Sequence, residues 1–468
     1  MNIQFVSLAA VLCSSLAHAQ TAIGDFETAP LYQLEYPVFK PMHMIDSLVL
    51  DVEDGGGFGS KVVLHGDRIL VGAPFYYSGS KNGSDKSGVV VSYDSQTGEL
   101  LSLVDSAESG TYSNFGYGMG RVGELAWIGS MSPYRFDLYN IDNGTRAGSL
   151  TPNSDIEGFA LCSSESSRFV CIQFLTNSET RTTVVFDSGT GEELGRFDVN
   201  GRHFNLADAS TESVAIDDEQ LFVQNFIESD SEPGRFHAQV DVYDMNSFEF
   251  QYTIRPAVDS GTFGMSIDLN SEYVAIASGF DGAGYIDPTG QYDTRVGTVD
   301  LYDRSNGERV WRFTPRDTMR GSYLGRLGAT SIAMNERYVA VGSIFQGSVY
   351  LISIENPDLV YRMGNEEGHA FTRDDFGVSL AISNDRLYVG APEHRFEVDY
   401  ESGQGTVFVY NIGCLADFNN DSQYSFEDIA EFLDLFGDQD ERADLDQNGL
   451  YNFMDISECL ELLSLGCY

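Results

Sequence analysis

Between residues 55 and 411 the apolar positions fall in short runs, many alternating with polar residues, and the runs are separated by Gly, Asn, Asp and Ser. Period two over so few residues predicts β-strands joined by turns, not helices. The runs are themselves grouped. One unit recurs: Phe-Gly, a short apolar run, a turn, an apolar run ending in Gly-Ala-Pro or a relative, a loop, then Gly-x-Val-x-x-Tyr-Asp and x-x-x-Gly-Glu. The best copies are Phe58-Gly59 with Gly72-Ala73-Pro74 and Gly88 to Asp94, and Phe376-Gly377 with Gly390-Ala391-Pro392 and Gly405 to Asn411. Intermediate copies open at Phe115-Gly116, Phe263-Gly264 and Leu324-Gly325. Two degenerate copies are marked by Val184 to Asp187 with Thr190-Gly191-Glu192, and by Val240 to Asp244.

Seven units of roughly fifty residues, none able to bury both faces of its sheet alone, predict an all-β fold, a seven-bladed β-propeller. The last unit lacks a fourth strand before Cys414, whereas Asp46 to Val52 reads as a strand without a blade. That N-terminal strand is expected to complete blade seven and remove a free sheet edge. Four connections are long, Phe75–Ser87, Asn225–Ala238, Phe280–Val296 and Glu393–Gln404. Sharing one register, they are expected to project from one face of the ring as its ligand-binding surface. Asp281, Asp287 and Asp293 in the third fit no known cation cage.

After Gly413 the period changes. Ile429, Phe432, Leu433 and Phe436 recur as Ile456, Cys459, Leu460 and Leu463, an i, i+3, i+4, i+7 stripe that predicts two helices facing one another. Each is preceded by an oxygen-rich loop. The first carries Asp417, Asn419, Asp421, Gln423, Ser425 and Asp428, and the second Asp444, Asp446, Asn448, Leu450, Asn452 and Asp455, at an offset of 27. These are positions 1, 3, 5, 7, 9 and 12 of an EF-hand loop; position 7, Gln423 or Leu450, gives its backbone carbonyl. An all-oxygen set of this size suits Ca²⁺, so two calcium sites are expected. Position 6 is Gly449 in the second loop and Ser422 in the first, so the first site is expected to be the weaker. The chain therefore divides into a signal segment (1–19), the propeller (20–411) and a small α-helical paired EF-hand-like module (412–468).

The repeated unit resembles the FG-GAP repeat of integrin α-chain-like propellers, in which the Phe-Gly and Gly-Ala-Pro residues are structural. No Asp-rich calcium loop follows the Gly-Ala-Pro strand here, which departs from that family. Residues 414 to 467, with Cys414-Leu415-Ala416-Asp417, the paired loops, Phe453-Met454-Asp455 and Gly466-Cys467, resemble a dockerin type I module of secreted bacterial proteins. That resemblance implies calcium-dependent folding and docking onto another protein or the cell surface. Cohesin-binding dockerins carry small hydroxyl residues beside position 12. Phe426-Glu427 and Phe453-Met454 stand there instead, so no cohesin partner is inferred.

Charge narrows the partners. The formal net charge is −44 over 468 residues, which argues against nucleic acid and against anionic membrane surfaces. From Asp417 to Glu461 there are fourteen acidic side chains against the single Arg442, which marks the domain boundary. The apolar run Phe5 to Leu16 followed by Ala17-His18-Ala19 reads as a signal peptide, hence a secreted or cell-surface protein, and no later run is long enough to span a membrane. Export permits disulfides. Cys414 with Cys467 would tie the ends of the module, and Cys162 with Cys171 would bridge a hairpin of the third blade, whereas Cys459 reads as a buried thiol.

No nucleophile elbow, paired metal-ligand histidines or other catalytic motif stands out, so the chain reads as non-catalytic. The leading function is a recognition or adhesion protein whose propeller binds a glycan or protein and whose tail docks or assembles it. The alternatives are a secreted polysaccharide-active hydrolase or lyase with its site in the propeller channel, and a purely structural surface component.

Overall fold

The computed structural model describes residues 38–39 and 43–46, then 56–413 without 77–87, 96, 106–113, 132–133, 154–158, 167, 176–179, 201–212, 229–235, 257–261, 280–284, 287–291, 294–296, 316–330, 344–346, 365–374 and 393–404, and finally 418, 425–440, 443, 445 and 450–465. All belong to the compact unit Val38–Tyr468. The expected signal segment lies outside them.

Seven sheets follow one another along the chain, each built from four consecutive antiparallel strands except where the N-terminus contributes. Their first strands, Lys61–His65, Met119–Val122, Phe159–Glu165, Val214–Ile216, Phe263–Leu269, Ile332–Met334 and Ser379–Ile382, neighbour one another in cyclic order, the seventh against the first. The seven-bladed ring is thus the observed architecture. The second strands read as nearly continuous apolar runs because each is covered on both faces by adjoining blades; Arg68–Ala73 is buried from Ile69 onward. Outermost strands keep one wet face, so Leu100–Asp105 buries only Val104.

An N-terminal strand closes the ring, at His43–Asp46 and not at Asp46–Val52: it pairs antiparallel with Thr406–Asn411 as the outer strand of blade seven. Just before it, Val38–Phe39 adds a fifth, parallel strand to blade six, opposite Arg362 and Met363. Two sheet edges are thereby covered by one short segment.

The recurring motif is an inter-blade latch. The Phe of Phe-Gly packs edge-to-face on the Tyr of Tyr-Asp, or of Tyr-Asn in blades two and seven, within its own blade, as in Phe58–Tyr93 (6.2 Å, 85°), Phe115–Tyr139 (5.4 Å, 77°), Phe263–Tyr302 (6.1 Å, 82°) and Phe376–Tyr410 (6.5 Å, 82°). The Gly of Phe-Gly meets the Gly of the preceding blade's second strand backbone to backbone. A Cβ on Gly390 would lie 2.1 Å from the Gly59 carbonyl oxygen, so only glycine fits the closure between blades seven and one. The Asp of Tyr-Asp caps the following turn; Asp94 Oδ1 accepts from Thr97 N (2.7 Å) and Thr97 Oγ1 (3.1 Å).

The degenerate blades replace glycine with glutamine at the latch. In blade four Gln224 stands where Gly390 stands in blade seven, and its Nε2 donates to the Phe263 carbonyl of the next blade at 2.8 Å. In blade three Gln173, fully buried, donates to Thr183 Oγ1 (3.2 Å) and accepts from Ser213 Oγ (3.0 Å). A backbone contact has become a side-chain hydrogen bond, which is why those blades fold without the full motif.

The Cys162–Cys171 bridge is not formed. On the ladder Cys162 stands opposite Gln173 and Cys171 opposite Ser164, so the two are diagonal neighbours. Diagonal Cα atoms lie ~7–8 Å apart, beyond ordinary disulfide reach. Cys171 is a buried thiol in the core shared with blade four.

Candidate functional site

The C-terminal module contributes two helices, α1 (Phe426–Asp438) and α2 (Phe453–Leu465). Their shared core is Phe432, Leu435, Ala443 and Cys459, with Phe418, Ile429, Phe436, Leu445, Tyr451 and Ile456 packed around it. Leu433 and Leu460, expected to face inward, are 53% and 50% exposed, because the buried face of α1 is centred on Phe432 and Leu435. Burial pushes the Cys459 thiol up to about 11, which makes it unreactive near neutral pH.

Of the expected calcium ligands, Asp417, Asn419, Asp421, Gln423, Asp444, Asp446 and Asn448 lie outside the described residues, as do Cys414 and Cys467. Those described repeat the same local geometry. Asp428 and Asp455 are fully buried. Each sits at the third position of its helix and accepts, through Oδ2, the backbone N–H three residues earlier: Ser425 N and Asn452 N, both at 2.8 Å. Ser425 caps α1, its hydroxyl accepting from Glu427 N at 3.1 Å, which with Asp428 completes a capping box. Asn452 Oδ1 accepts from Met454 N (2.9 Å), and its Nδ2 donates to the Leu450 carbonyl (2.8 Å).

The described donors, Asp428 and Asp455 with Ser425 and Asn452, are hard oxygen groups of the kind Ca²⁺ takes, and each carboxylate is anchored through Oδ2 on the start of its helix. In both copies it is the last residue of the expected loop that is anchored, so the helix positions the ligand. Around the same helix starts lie exposed apolar side chains, Phe426 (76%), Phe453 (64%) and Met454 (56%), in addition to Leu433 and Leu460. Those pairs are related by the 27-residue repeat.

On the propeller the long connections all join second to third strands, which places them on one face. Two are partly regular. The blade-four connection narrows to 229–235 because its strands run on as Gln220–Glu228 and Phe236–Asp244, and the blade-five connection carries a small ribbon, Tyr285–Ile286 with Tyr292–Asp293. Asp281 and Asp287 lie outside the described residues. The central channel, about 250 Å³, is lined by first-strand residues such as Val63, Met119, Val214, Ile267, Ile332 and Leu380, with Lys61 and Asp268 as its charged groups. Asp268 is already engaged, accepting Met334 N (2.7 Å) and Leu269 N (2.9 Å). Convergent acid and base groups are therefore not found on the described channel wall.

On the opposite face a cleft of about 590 Å³ opens between blades four and five, lined by Glu219, Asp244, Glu272 and Asp303 among others. Its floor is Arg304, 5% exposed, which donates to the Asn270 carbonyl at 2.5 Å and to Asp217 and lies over the Phe222 ring. Nothing in the sequence pattern singled out this arginine, since its partners are distant along the chain. Among the described residues no three His, Cys, Asp or Glu side chains converge closely enough to hold a metal ion. No described helix is long and apolar enough to cross a membrane.

Ring, channel and latch together define a seven-bladed β-propeller with a small helical module. No protein-family model matches the sequence, and no curated protein does. Solved structures similar in fold include the RRP9 WD40 repeats (TM-score 0.51, 14% identity, covering 81% of this chain and 100% of that one). The Neurospora crassa Pan2 WD40 domain (TM-score 0.47, 8% identity, 81% and 97%) and U3-55K (TM-score 0.47, 14% identity, 74% and 92%) are further examples. At such identities the likeness to the RRP9 repeats shows the fold alone.

Proposed function

We propose that this protein is a secreted, calcium-binding, non-catalytic recognition or adhesion protein. Its propeller, of the FG-GAP type, presents a ligand-binding face, and its dockerin-like tail docks it to a protein partner or a cell surface. The observation that carries the reading is the duplicated geometry of the tail: Asp428 and Asp455, both buried and both anchored at 2.8 Å on the start of a helix, each beside an exposed Phe. Calcium would be held by Asp417, Asn419, Asp421, Gln423, Ser425 and Asp428, and by Asp444, Asp446, Asn448, Leu450, Asn452 and Asp455. When bound it supplies positive charge that offsets the acidic loops and ties each loop to its helix. The exposed Phe426, Leu433, Phe453, Met454 and Leu460 are the docking residues of this reading, being apolar groups that a partner would desolvate. A cross-link between Cys414 and Cys467 would close the module. Export rests on residues 1–19.

Calcium titration of the mature full chain, by calorimetry, tests the tail. Two binding events are expected, the stronger lost in the Asp444→Ala, Asp455→Ala double variant. Identical heats for the variant and the parent would remove the calcium reading. For the propeller, a glycan array with a polysaccharide-hydrolysis screen decides between binder and enzyme; turnover without retention would reverse the assignment.

A further inference from the structure

Four of the turns joining third to fourth strands share one hydrogen bond, which the blade-two turn lacks. In blades one, three, four and five the residue four after the turn-starting Asp is tied back to that Asp: Gly98 N–H donates to Asp94 O (2.9 Å), Gly191 to Asp187, Phe248 to Asp244 and Gly307 to Asp303 (each 2.8 Å). The equivalent turn of blade two runs from Asn140 to Gly144. Gly144 has φ +67°, and its N–H makes no such bond to Asn140. The residue before it is Asn143, exposed to solvent.

Asn143 Oδ1 accepts two hydrogen bonds, from Thr145 N (2.9 Å) and Thr145 Oγ1 (2.5 Å). Two donors therefore converge on the oxygen that would gain charge if a nucleophile attacked Cγ, the arrangement of an oxyanion hole. The nucleophile is the untethered Gly144 nitrogen. An internal comparison is at hand in blade five, where Asn306 also precedes a glycine in the same turn. There the Gly307 N–H is tied to Asp303 O, and Asn306 Oδ1 accepts only from Glu308 N (2.7 Å).

We propose that Asn143 is a site of spontaneous modification, a deamidation centre built by the blade-two turn. The Gly144 nitrogen gives its proton to solvent base and forms a bond to Asn143 Cγ. The Cγ–Nδ2 bond breaks and nitrogen leaves as ammonia, taking a proton from water, so that a succinimide remains. Water then opens either carbonyl of the ring, giving aspartate or isoaspartate. The net change is one water consumed and one ammonia released, with no oxidant or reductant.

The position gives the change a consequence. The neighbouring Asp142 pairs with Arg68 of blade one at 2.5 Å, and the Ile141 carbonyl accepts from Ser102 Oγ of blade one at 2.8 Å. The new carboxylate competes for that arginine, and isoaspartate lengthens the backbone of a turn that fixes the contact between blades one and two. The site would mark older molecules by a loosened blade pair.

The test is peptide mapping by mass spectrometry, resolving aspartate from isoaspartate, on the full chain aged in mildly alkaline buffer, folded and in urea. Folded, Asn143 is expected to convert about tenfold faster than Asn306, the effect of a donor pair and a free nitrogen; in urea the two rates converge. Thr145→Val should slow Asn143 about tenfold in the folded protein only, and Thr145→Ser should retain the rate. Equal folded rates, a faster Asn306, or an Asn143 whose amide already carries a glycan would overturn the proposal.

Discussion

Gly390→Ala probes the latch that closes the ring. A methyl at Gly390 would stand 2.1 Å from the Gly59 carbonyl oxygen and 3.1 Å from its carbon, so the blades must part by about 1 Å to restore ordinary contact. Both partners are backbone, Gly390 in the second strand of blade seven and Gly59 in the turn before the first strand of blade one, and neither can rotate away. Overpacking of this kind costs about 1–3 kcal/mol. The parting also strains the bridge between Phe58 and Gly405 across the same seam, worth about 1 kcal/mol. The expected loss is ~2–4 kcal/mol, read as a lower urea midpoint of the full chain with a similar slope. The sign is informative, because Gly→Ala in an unhindered strand gains about 0.5–1 kcal/mol. Gly72→Ala and Gly342→Ala, at 2.2 Å and 2.1 Å from the glycine carbonyl oxygens of the next blades, should behave alike. Gly437→Ala in α1, with nothing within 4 Å, should not destabilise. An unchanged midpoint for Gly390→Ala would refute the latch.

Two further outcomes follow from the buried and capping carboxylates. Arg312→Met should cost ~3–5 kcal/mol in urea unfolding, because Asp300 is fully buried and would keep only Arg309 at 3.4 Å in place of the paired contacts at 2.7 Å; a loss below ~1 kcal/mol would show that water or Arg309 compensates. The turn aspartates set an acid limit. Backbone hydrogen bonds from Thr190 and Ser247 hold Asp187 and Asp244 below the usual carboxylate range, and the Ser305 hydroxyl does so for Asp303. Their folded values are depressed, so the stability they add is present above the unfolded value, about pH 4, and is lost as pH falls through the lower folded values. Thermal unfolding between neutral and acidic pH should show that decline, and Asp187→Asn with Asp244→Asn, whose amides do not titrate, should flatten it; an unaltered pH profile would sink the assignment.

Much of the ring was legible in the sequence because its chemistry is local and repeated. Phe-Gly, the apolar second strand and Tyr-Asp recur at fixed spacing, and each blade reuses the same contacts, so a count of motifs became a count of blades. The degenerate blades were harder to read, since Gln173 and Gln224 do by side-chain hydrogen bonding what glycine does by close approach. The closing strand was anticipated but displaced to His43–Asp46; which residues of a short segment pair depends on the edge they meet. Diagonal register, invisible before folding, decided against a Cys162–Cys171 bridge. In the tail the helices were evident from their stripe. That Leu433 and Leu460 face outward depended on which side of α1 met α2.

Local order along the chain was thus enough to determine the strands, the number of blades, the turn caps and the two helices of the tail, because each arises from residues within one turn or one hairpin of each other. Tertiary structure alone decided which glycines touch across a seam, that Arg304 underlies a cleft, that Asp268 on the channel wall is held by Met334 N, and that of the two Asn-Gly turns among the described residues only Asn143 stands beside an untethered nitrogen. Those properties depend on distances between blades, and no spacing along the chain encodes them.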